Sequence, residues 1–235
     1  MKVVAMIPAR SGSKGIADKN VLKLSGRPLI KYSIDAALGC SMIDEVFLNS
    51  DSEAYLELGL KLGAKAFLRP KGLSKDNTSM KLVVINFIEK LKKQERHFDA
   101  VIVLYPVYPL RDAGDLERMI KVFKNIGRNR PLIGMKKPDT HPYLCYGLDT
   151  KYCIRSVMKF DANRFYRRQM YPKYFEITHW ACVLPTESLG SLNMNLINRN
   201  TYGYLIPNNI NIVDIDTRLD FEYAEFLLER RSKND

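Results

Sequence analysis

A loop rich in glycine, serine and cations is the part of this sequence with the clearest capacity for chemistry. It occupies residues 8–20, follows the apolar run at residues 3–7, and contains three cations, Arg10, Lys14 and Lys19. Small residues let backbone N–H groups approach phosphate oxygens, and the cations neutralise the phosphate charge. The spacing matches neither a Walker A loop nor the G-x-G-x-x-G fingerprint. The residues alone therefore leave two interpretations open, a phosphate-binding loop and a solvated basic turn.

Two carboxylates near the end of the chain are the second candidate for chemistry. Asp214 and Asp216 are two residues apart within residues 211–216, which we predict to be a strand, so both side chains would lie on one face. Carboxylates on one face repel each other unless a cation lies between them, and Mg²⁺ prefers oxygen ligands together with a substrate phosphate. The alternatives are a charged strand edge and a role for Asp216 as the cap of the next helix.

A third candidate combines arginines with aromatic rings at residues 164–168. Such a cluster suits a pocket for a carboxylate and a sugar ring, a nucleic-acid surface on which bases stack, or a subunit interface. His97, His141 and His179 have no neighbour at metal-ligand spacing. We interpret His97 as a loop residue, whereas for His179 a site role and a structural role both stay open.

The composition limits the class of protein. The 235 residues include 37 lysines and arginines against 26 aspartates and glutamates, a net charge of +11, which favours anionic partners such as nucleic acid, anionic lipid or a nucleoside triphosphate. No apolar run approaches the roughly 20 residues that span a bilayer, so we expect no membrane partner. The four cysteines form no C-x-x-C pair, which argues against zinc and disulfides and predicts a reducing cytoplasm as the location.

The elements that would position these residues alternate between apolar runs and helical periods. Continuous apolar runs are typical of strands buried on both faces, and apolar residues three and four apart indicate helices packed on a sheet. We predict strands at residues 3–7, 45–49, 64–68, 100–104 and 131–135, helices at 29–38, 79–91 and 116–123, and a terminal helix after residue 216. This alternation predicts an α/β fold with a Rossmann-like, mostly parallel sheet. The pattern breaks at about residues 138–185, which we interpret as a β-rich insertion in a single domain of residues 1–235.

Taken together, these segments resemble the acylneuraminate cytidylyltransferases, the family of CMP-sialic acid synthetases and their relatives for legionaminic, pseudaminic and 3-deoxy-octulosonic acids. The similarity spans nearly the whole chain in the same order. It is carried by residues 7–15 (IPARSGSKG), Lys19-Asn20, residues 26–30 (GRPLI), Ser50-Asp51, Arg69-Pro70, Asp76, residues 106–111 (PVYPLR), Arg168-Gln169 and Asp214-Ile215-Asp216.

The resemblance implies a role for each matching position. The residues implied in nucleotide binding are Ala9, Arg10, Ser11, Gly12, Ser13, Lys14 and Asn20 at the triphosphate, and Arg69, Asp76 and Ser79 around cytosine and ribose. Those implied at the sugar acid are Tyr105, Arg111, Arg168, Gln169 and Tyr174. Catalysis would involve Arg10, Lys19 and Asp216, with Mg²⁺ on Asp214 and Asp216. From the residues alone, Arg69 would be a surface cation before a turn and Ser79 a helix N-cap.

The implied reaction is Mg²⁺-dependent transfer of CMP from CTP to the anomeric hydroxyl of a 2-keto-3-deoxy sugar acid, with release of pyrophosphate. The resemblance also implies a homodimer in which the insertion forms the contact, and no nucleic-acid partner. Two alternatives stay open, a nucleotidyltransferase of the same fold with a different acceptor and a non-catalytic protein that binds nucleic acid.

Three stretches depart from the family pattern. Tyr105 replaces a glutamine, Val107-Tyr108 replace Thr-Ser, and residues 178–181 (THWA) replace Asn-Gly-Ala-x-Tyr. Loss of a hydrogen-bonding side chain changes which substrate groups a site favours, and we expect Tyr108 and Trp180 to present flat apolar surfaces to the acid. These differences predict a preference for a 9-deoxy diamino acid, such as legionaminic or pseudaminic acid, over N-acetylneuraminate.

Overall fold

The computed structural model describes residues 1–12 and 15–232. The chain forms two compact units, a larger one of Met1–Gly134 with His179–Asp235 and a smaller one of Met135–Thr178. The smaller unit overlaps the predicted insertion at residues 138–185, of which residues 179–185 lie in the larger unit.

The strands and α-helices are numbered here in chain order. The strands are β1 (Val3–Pro8), β2 (Lys23–Leu24), β3 (Arg27–Pro28), β4 (Glu45–Ser50), β5 (Lys65–Leu68), β6 (Ala100–Val103), β7 (Leu132–Lys136), β8 (Tyr146–Leu148), β9 (Ile154–Ser156), β10 (Glu176–Pro185) and β11 (Tyr202–Leu205). The helices are α1 (Leu29–Leu38), α2 (Glu53–Lys61), α3 (Met80–Lys93), α4 (Ala113–Asn125) and α5 (Arg218–Ser232). In the part of the chain that the structure describes, no helix is long and apolar enough to cross a membrane.

A seven-stranded sheet in the order β11-β7-β10-β6-β1-β4-β5 forms the centre of the fold. Strand β1 pairs in parallel with β4 and β6, and β4 pairs in parallel with β5. Strand β10 runs antiparallel to β6. Every residue of β1 and β6 is buried, as expected for strands covered on both faces. The predicted α/β fold with a mostly parallel sheet is confirmed.

The helices follow the apolar periodicity, with one helix that the pattern does not reveal. Helix α1 has the predicted bounds, and α4 begins earlier than predicted because Asp112 and Asp115 form a capping box there. Helix α2 is the addition, and Ser52 caps its first turn. The apolar periodicity of α2 is irregular because Leu60 lies on its exposed side, so the sequence pattern does not indicate a helix there.

The predicted strand at residues 211–216 is wrong. The segment has no regular secondary structure, and none of the described strands pairs with it. Val213 and Ile215 are instead buried in a cluster that includes Phe221 of α5, so their alternation reflects packing against a helix. The Ile215 N–H donates to the carbonyl oxygen of Val107 at 3.0 Å, which fixes the segment to the loop after β6.

The start of α5 is capped by Thr217 and Asp220. The Thr217 N–H donates to Asp220 Oδ2 (2.7 Å), and the Asp220 N–H donates to Thr217 Oγ1 (3.3 Å), the reciprocal pairing of a capping box. The Asp216 side chain is bonded to Lys19 instead. The alternative in which Asp216 caps the terminal helix is therefore wrong.

The smaller unit is organised around aromatic rings and one hairpin. Strands β8 and β9 pair antiparallel. Tyr143 stacks on Phe160 with ring centroids 4.1 Å apart, and His141 contacts the rings of Tyr171 and Tyr174 at 4.5 and 5.2 Å. Ring contacts therefore supply much of the packing in a unit that has no long helix among its described residues.

Candidate active site

The loop predicted to bind phosphate begins at the carboxyl end of β1 and is fixed to the neighbouring strand β4. The Ala9 N–H donates to the carbonyl oxygen of Asn49 at 3.0 Å. Just beyond β4, the carboxylate of Asp51 accepts hydrogen bonds from the N–H (2.9 Å) and hydroxyl (3.0 Å) of Ser11. Gly12 then has a φ of +72°, a conformation that glycine adopts without strain. Asp51 therefore shapes the first half of the loop.

Two side-chain hydrogen bonds hold the second half of the loop in place. Asn20 is buried, and its Nδ2 donates to the carbonyl oxygen of Arg10 at 3.1 Å. The Tyr55 hydroxyl of α2 donates to the carboxylate of Asp18 at 2.7 Å. Asn20, predicted at the triphosphate, thus supports the loop backbone through its amide. Two further residues predicted at the triphosphate lie outside the described residues, Ser13 and Lys14.

Lys19 joins this loop to the distant pair of aspartates. Its ammonium group donates to the carbonyl oxygen of Ile215 and to Asp216 Oδ1, the latter at 3.0 Å. Lys19 is 8% exposed, whereas the Asp216 side chain is 76% exposed. Gly15 approaches the same segment so closely that a Cβ would lie 2.5 Å from the Asp216 carbonyl oxygen, which only glycine allows. Two segments far apart in the sequence therefore meet here.

Asp214 lies in more buried surroundings than Asp216. The Tyr108 hydroxyl donates to Asp214 Oδ2 at 2.6 Å. Burial raises the pKa of Asp214, and the charge of Asp216 raises it further, whereas Tyr108 and Lys19 oppose the shift. The charge of Asp216 thus opposes ionisation of Asp214, although the strand predicted to align the two carboxylates is absent. Such a pair favours a cation between its members.

Arg10 and Asp76, both predicted to bind nucleotide, are bonded to each other. Arg10 Nη1 lies 2.5 Å from Asp76 Oδ1, in a pair that is partly solvated and so contributes only about 0–1 kcal/mol. A triphosphate that binds Arg10 would compete with Asp76. Ser79 Oγ accepts a hydrogen bond from the Lys81 N–H at 3.1 Å and caps α3, the role that its residue type alone suggests.

Arg69 is buried against the end of β4. Its Nε donates to Asn49 Oδ1 (2.6 Å) and its Nη2 to the carbonyl oxygen of Asn49 (2.9 Å). Burial lowers the pKa of Arg69 to about 10, and nearby Asp51 opposes the shift. The interpretation of Arg69 as a surface cation is therefore wrong. A cavity of about 280 Å³ opens beside it, lined by Asp51, Glu53, Leu68, Arg69, Pro70, Lys71 and Lys90.

Arg111 is a buried brace. It is 4% exposed. Its Nη2 donates to Ser33 Oγ (2.7 Å) and to the carbonyl oxygen of Tyr105 (2.6 Å), and its Nη1 donates to the carbonyl oxygen of Trp180. Burial lowers its pKa to about 9. Arg111 thus connects the loop after β6 to α1 and β10, and its contact with the sugar acid stays a prediction.

The aromatic residues predicted to face the acid separate into two groups. Trp180 is fully buried and Tyr108 is 6% exposed, so the expectation that they present flat surfaces to a ligand is wrong. The rings of Tyr105 and His179 pack edge to face with centroids 5.4 Å apart. Burial lowers the pKa of His179, which favours the neutral imidazole. The sequence does not distinguish a site role from a structural role for His179. The one sequence signal for a site role is that His179 lies in residues 178–181, which replace the family pattern.

The other residues predicted at the sugar acid belong to the smaller unit. Arg168 and Gln169 are exposed and begin a short 3-10 helix, Arg168–Met170. The Tyr174 ring lies 5.2 Å from His141 and 5.9 Å from Tyr143, measured between centroids. The role of these three residues toward the sugar acid stays a prediction.

Comparison with known proteins decides the class. Residues 4–130 match the family model described as Cytidylyltransferase. The chain belongs to this family. A pseudaminic acid cytidylyltransferase from Campylobacter jejuni is 46% identical over 228 residues, which cover 97% of this cytidylyltransferase and 96% of the relative. An N-acylneuraminate cytidylyltransferase from Escherichia coli is 26% identical over 232 residues, covering 99% of this chain and 53% of the relative.

A solved structure of CMP:2-keto-3-deoxy-manno-octonic acid synthetase complexed with CTP supports the fold of this cytidylyltransferase. The TM-score is 0.71 at 17% sequence identity, and the match covers 98% of this chain and 100% of the other. At 17% sequence identity, this structural similarity supports the fold alone. The family resemblance stated from the sequence is confirmed by the family model and the similar sequences.

The aspartate pair of this cytidylyltransferase fits a divalent cation bound together with a phosphate. The hydrogen bonds from Tyr108 and Lys19 use Oδ2 of Asp214 and Oδ1 of Asp216. The second oxygen of each carboxylate is a hard ligand of the kind that Mg²⁺ prefers. Within residues 1–12 and 15–232, no cluster of three or more His, Cys, Asp or Glu could hold a metal ion. Phosphate oxygens and water would therefore complete the coordination.

Proposed function

We propose that this cytidylyltransferase transfers CMP from CTP to the anomeric hydroxyl of a 2-keto-3-deoxy nonulosonic acid and releases pyrophosphate. The observation that supports this most is the contact between Lys19 and Asp216. Through it, a buried ammonium group of the glycine-rich loop lies beside the carboxylate pair. Cations and metal-binding carboxylates that meet at one point suit phosphoryl transfer, which depends on positioning and charge neutralisation.

In the proposed reaction, the anomeric oxygen attacks the α-phosphorus of CTP in line with the departing oxygen. A bond forms between these two atoms as the bond from the α-phosphorus to the bridging oxygen breaks, pyrophosphate leaves with the electron pair, and the proton of the anomeric hydroxyl passes to solvent water. Arg10 and Lys19 would offset negative charge on the triphosphate and on the departing pyrophosphate. Asp214 and Asp216 would hold Mg²⁺, which when bound polarises the α-phosphate and lowers the pKa of the attacking hydroxyl.

For the acceptor we propose pseudaminic acid or a closely related 9-deoxy diamino acid. The 46% identical relative carries pseudaminic acid in its name and matches 97% of this chain, whereas the N-acylneuraminate relative is 26% identical. Tyr105, packed on His179, stands where the sialic-acid pattern has a glutamine, so the amide is absent. The support therefore comes from this position and from the overall likeness, because Trp180 and Tyr108 are buried.

We expect kcat/KM to be at least about tenfold higher for pseudaminic or legionaminic acid than for N-acetylneuraminate, because a site that lacks a hydrogen-bonding group no longer favours the substrate that pairs with it. Tyr105→Gln should narrow this difference by restoring an amide. Tyr105→Phe is the matched control, which removes only the hydroxyl and should preserve the preference. Initial rates of pyrophosphate release with the three acids measure the effect. A clear preference of the unmodified enzyme for N-acetylneuraminate would refute the assignment.

We further propose a homodimer that forms through the smaller unit. The hairpin of β8 and β9 exposes Leu148 at 64% and Ile154 at 67%, and Val157, just after β9, is 68% exposed. A two-stranded hairpin is at best marginally stable in water by itself, and exposed apolar patches mark interaction sites. The arginines and aromatic rings at residues 164–168 also suit an interface.

Light scattering at tens of micromolar should give the mass of a dimer, since a stable dimer persists at that concentration. The double substitution Leu148→Glu and Ile154→Glu should yield monomers, because it would bury two charges at the contact. Leu60→Glu places a charge on an exposed leucine of α2 outside the smaller unit and should leave the mass unchanged. A monomeric unmodified protein would contradict this proposal.

A further inference from the structure

We infer that Tyr108 is a positioning residue that holds the carboxylate of Asp214 for metal binding, an inference that rests on the proposed function. Tyr108 is buried, with 6% exposure. Its hydroxyl donates to Asp214 Oδ2 at 2.6 Å. The effect of Tyr108 on the reaction would therefore pass through Asp214.

Asp214 needs such support because its segment is not part of the sheet. Residues 211–216 have no regular secondary structure, so no ladder of backbone hydrogen bonds sets the direction of the side chain. Two adjacent residues of the loop after β6 supply the missing restraint. The Val107 carbonyl oxygen accepts the Ile215 N–H at 3.0 Å, and the Tyr108 hydroxyl holds the Asp214 carboxylate. One contact fixes the backbone of the segment and the other fixes the side chain.

The hydrogen bond from Tyr108 also gives the two carboxylate oxygens of Asp214 different roles. With Oδ2 of Asp214 accepting from Tyr108, a metal ion would take Oδ1. Groups that hydrogen-bond to ligating carboxylates orient them, and their loss typically weakens metal binding by about 10–100-fold. A phenol reaches several ångströms farther from the backbone than the serine of the family pattern at this position. The tyrosine at position 108, which the sequence pattern suggested as a determinant of the acceptor, therefore orients the metal ligand Asp214.

The test is the affinity of the whole protein for Mn²⁺, used as a paramagnetic substitute for Mg²⁺, in the presence of CTP. Tyr108→Phe keeps the buried ring and removes the hydroxyl, and it should raise the Mn²⁺ dissociation constant by on the order of tenfold. Tyr204→Phe is the matched control, because it removes the hydroxyl of another buried tyrosine, on the edge strand β11, and should leave Mn²⁺ affinity unchanged. Electron paramagnetic resonance of free Mn²⁺ gives both constants, and thermal unfolding with CTP but no metal verifies that both variants fold.

A double-mutant cycle with Asp214→Asn separates positioning from general packing. Asp214→Asn alone should weaken Mn²⁺ binding, and adding Tyr108→Phe to it should cause no further loss, because the group being positioned is already altered. An equal loss from Tyr108→Phe in both backgrounds would overturn the inference. So would an unchanged Mn²⁺ affinity in the single Tyr108→Phe variant, or an unmodified protein that binds no Mn²⁺ with CTP.

The Mg²⁺ dependence of turnover is a second test of the positioning role of Tyr108. Tyr108→Phe should raise the Mg²⁺ concentration for half-maximal rate by a factor similar to its loss of Mn²⁺ affinity, while kcat at saturating Mg²⁺ stays within about threefold of the unmodified enzyme. A kcat that stays low at every Mg²⁺ concentration would contradict positioning through a metal ligand. Mn²⁺ binding is measured without a sugar acid, so failure of the proposed acceptor would appear in turnover alone, and the cycle still decides the inference.

Discussion

Replacing Asp216 by asparagine is expected to abolish turnover, lowering kcat by on the order of 10³-fold or more. The substitution keeps the size of the side chain and removes the negative charge of a proposed metal ligand, whose carboxylate also accepts a hydrogen bond from the Lys19 ammonium group at 3.0 Å. The fold should persist, because the Asp216 side chain is 76% exposed and the cap of α5 is formed by Thr217 and Asp220. Steady-state rates of pyrophosphate release over a range of Mg²⁺ concentrations measure the effect.

Asp35→Asn is the matched control for this variant. Asp35 also pairs with a lysine, Lys31, at 2.8 Å, but on α1 and outside the proposed site. Its substitution should leave kcat within about twofold, since exposed ion pairs contribute only about 0–1 kcal/mol. Near-normal turnover of Asp216→Asn at saturating Mg²⁺ would remove Asp216 from the metal site.

Lys19→Ala should lower kcat by about 10²–10³-fold while raising the KM for CTP much less. A cation that meets charge developing on the reacting phosphate stabilises mainly the transition state. Arg10→Ala should instead change both constants, because a cation that grips the ground-state triphosphate contributes to binding as well. Arg10 starts from a partly solvated pair with Asp76, whereas Lys19 is buried against Ile215 and Asp216.

Lys23→Ala controls for the loss of a lysine close to the loop. Lys23 lies on β2 with an exposed side chain, and its substitution should alter neither constant. Lys19 also holds the segment that contains Asp216. The thermal unfolding of Lys19→Ala should therefore be measured together with its kinetics, to verify that the variant folds. If Lys19→Ala raises only the KM for CTP, the proposed transition-state role is wrong.

The sequence predicts the sheet well because its strands follow local apolar patterns. The apolar runs of β1 and β6 are continuous since both faces of each strand are covered. Phosphate binding by the loop at residues 8–20 stays a prediction. The same logic fails at residues 211–216, where alternating apolar residues imitate a strand. Val213 and Ile215 alternate because they pack in a cluster with α5, and a sequence pattern does not distinguish this from sheet pairing.

The burial of the two arginines could not be predicted because it depends on partners far away in the chain. Arg69 is held by Asn49, and Arg111 by Ser33 and the carbonyl oxygens of Tyr105 and Trp180. Arginine is rarely buried unless its donors are paired, so residue type alone favours an exposed or ligand-binding position. Only the assembled fold shows that backbone carbonyls, together with Asn49 Oδ1 and Ser33 Oγ, supply the acceptors.

The proposed transfer is tested most directly by phosphorus NMR and mass spectrometry of CTP, Mg²⁺ and pseudaminic acid incubated with the unmodified protein. We expect CTP to be converted to pyrophosphate and CMP-linked pseudaminic acid in equal amounts, with no such product when ATP, GTP or UTP replaces CTP. CTP that stays unconsumed with pseudaminic, legionaminic and N-acetylneuraminic acids alike would contradict the proposed function.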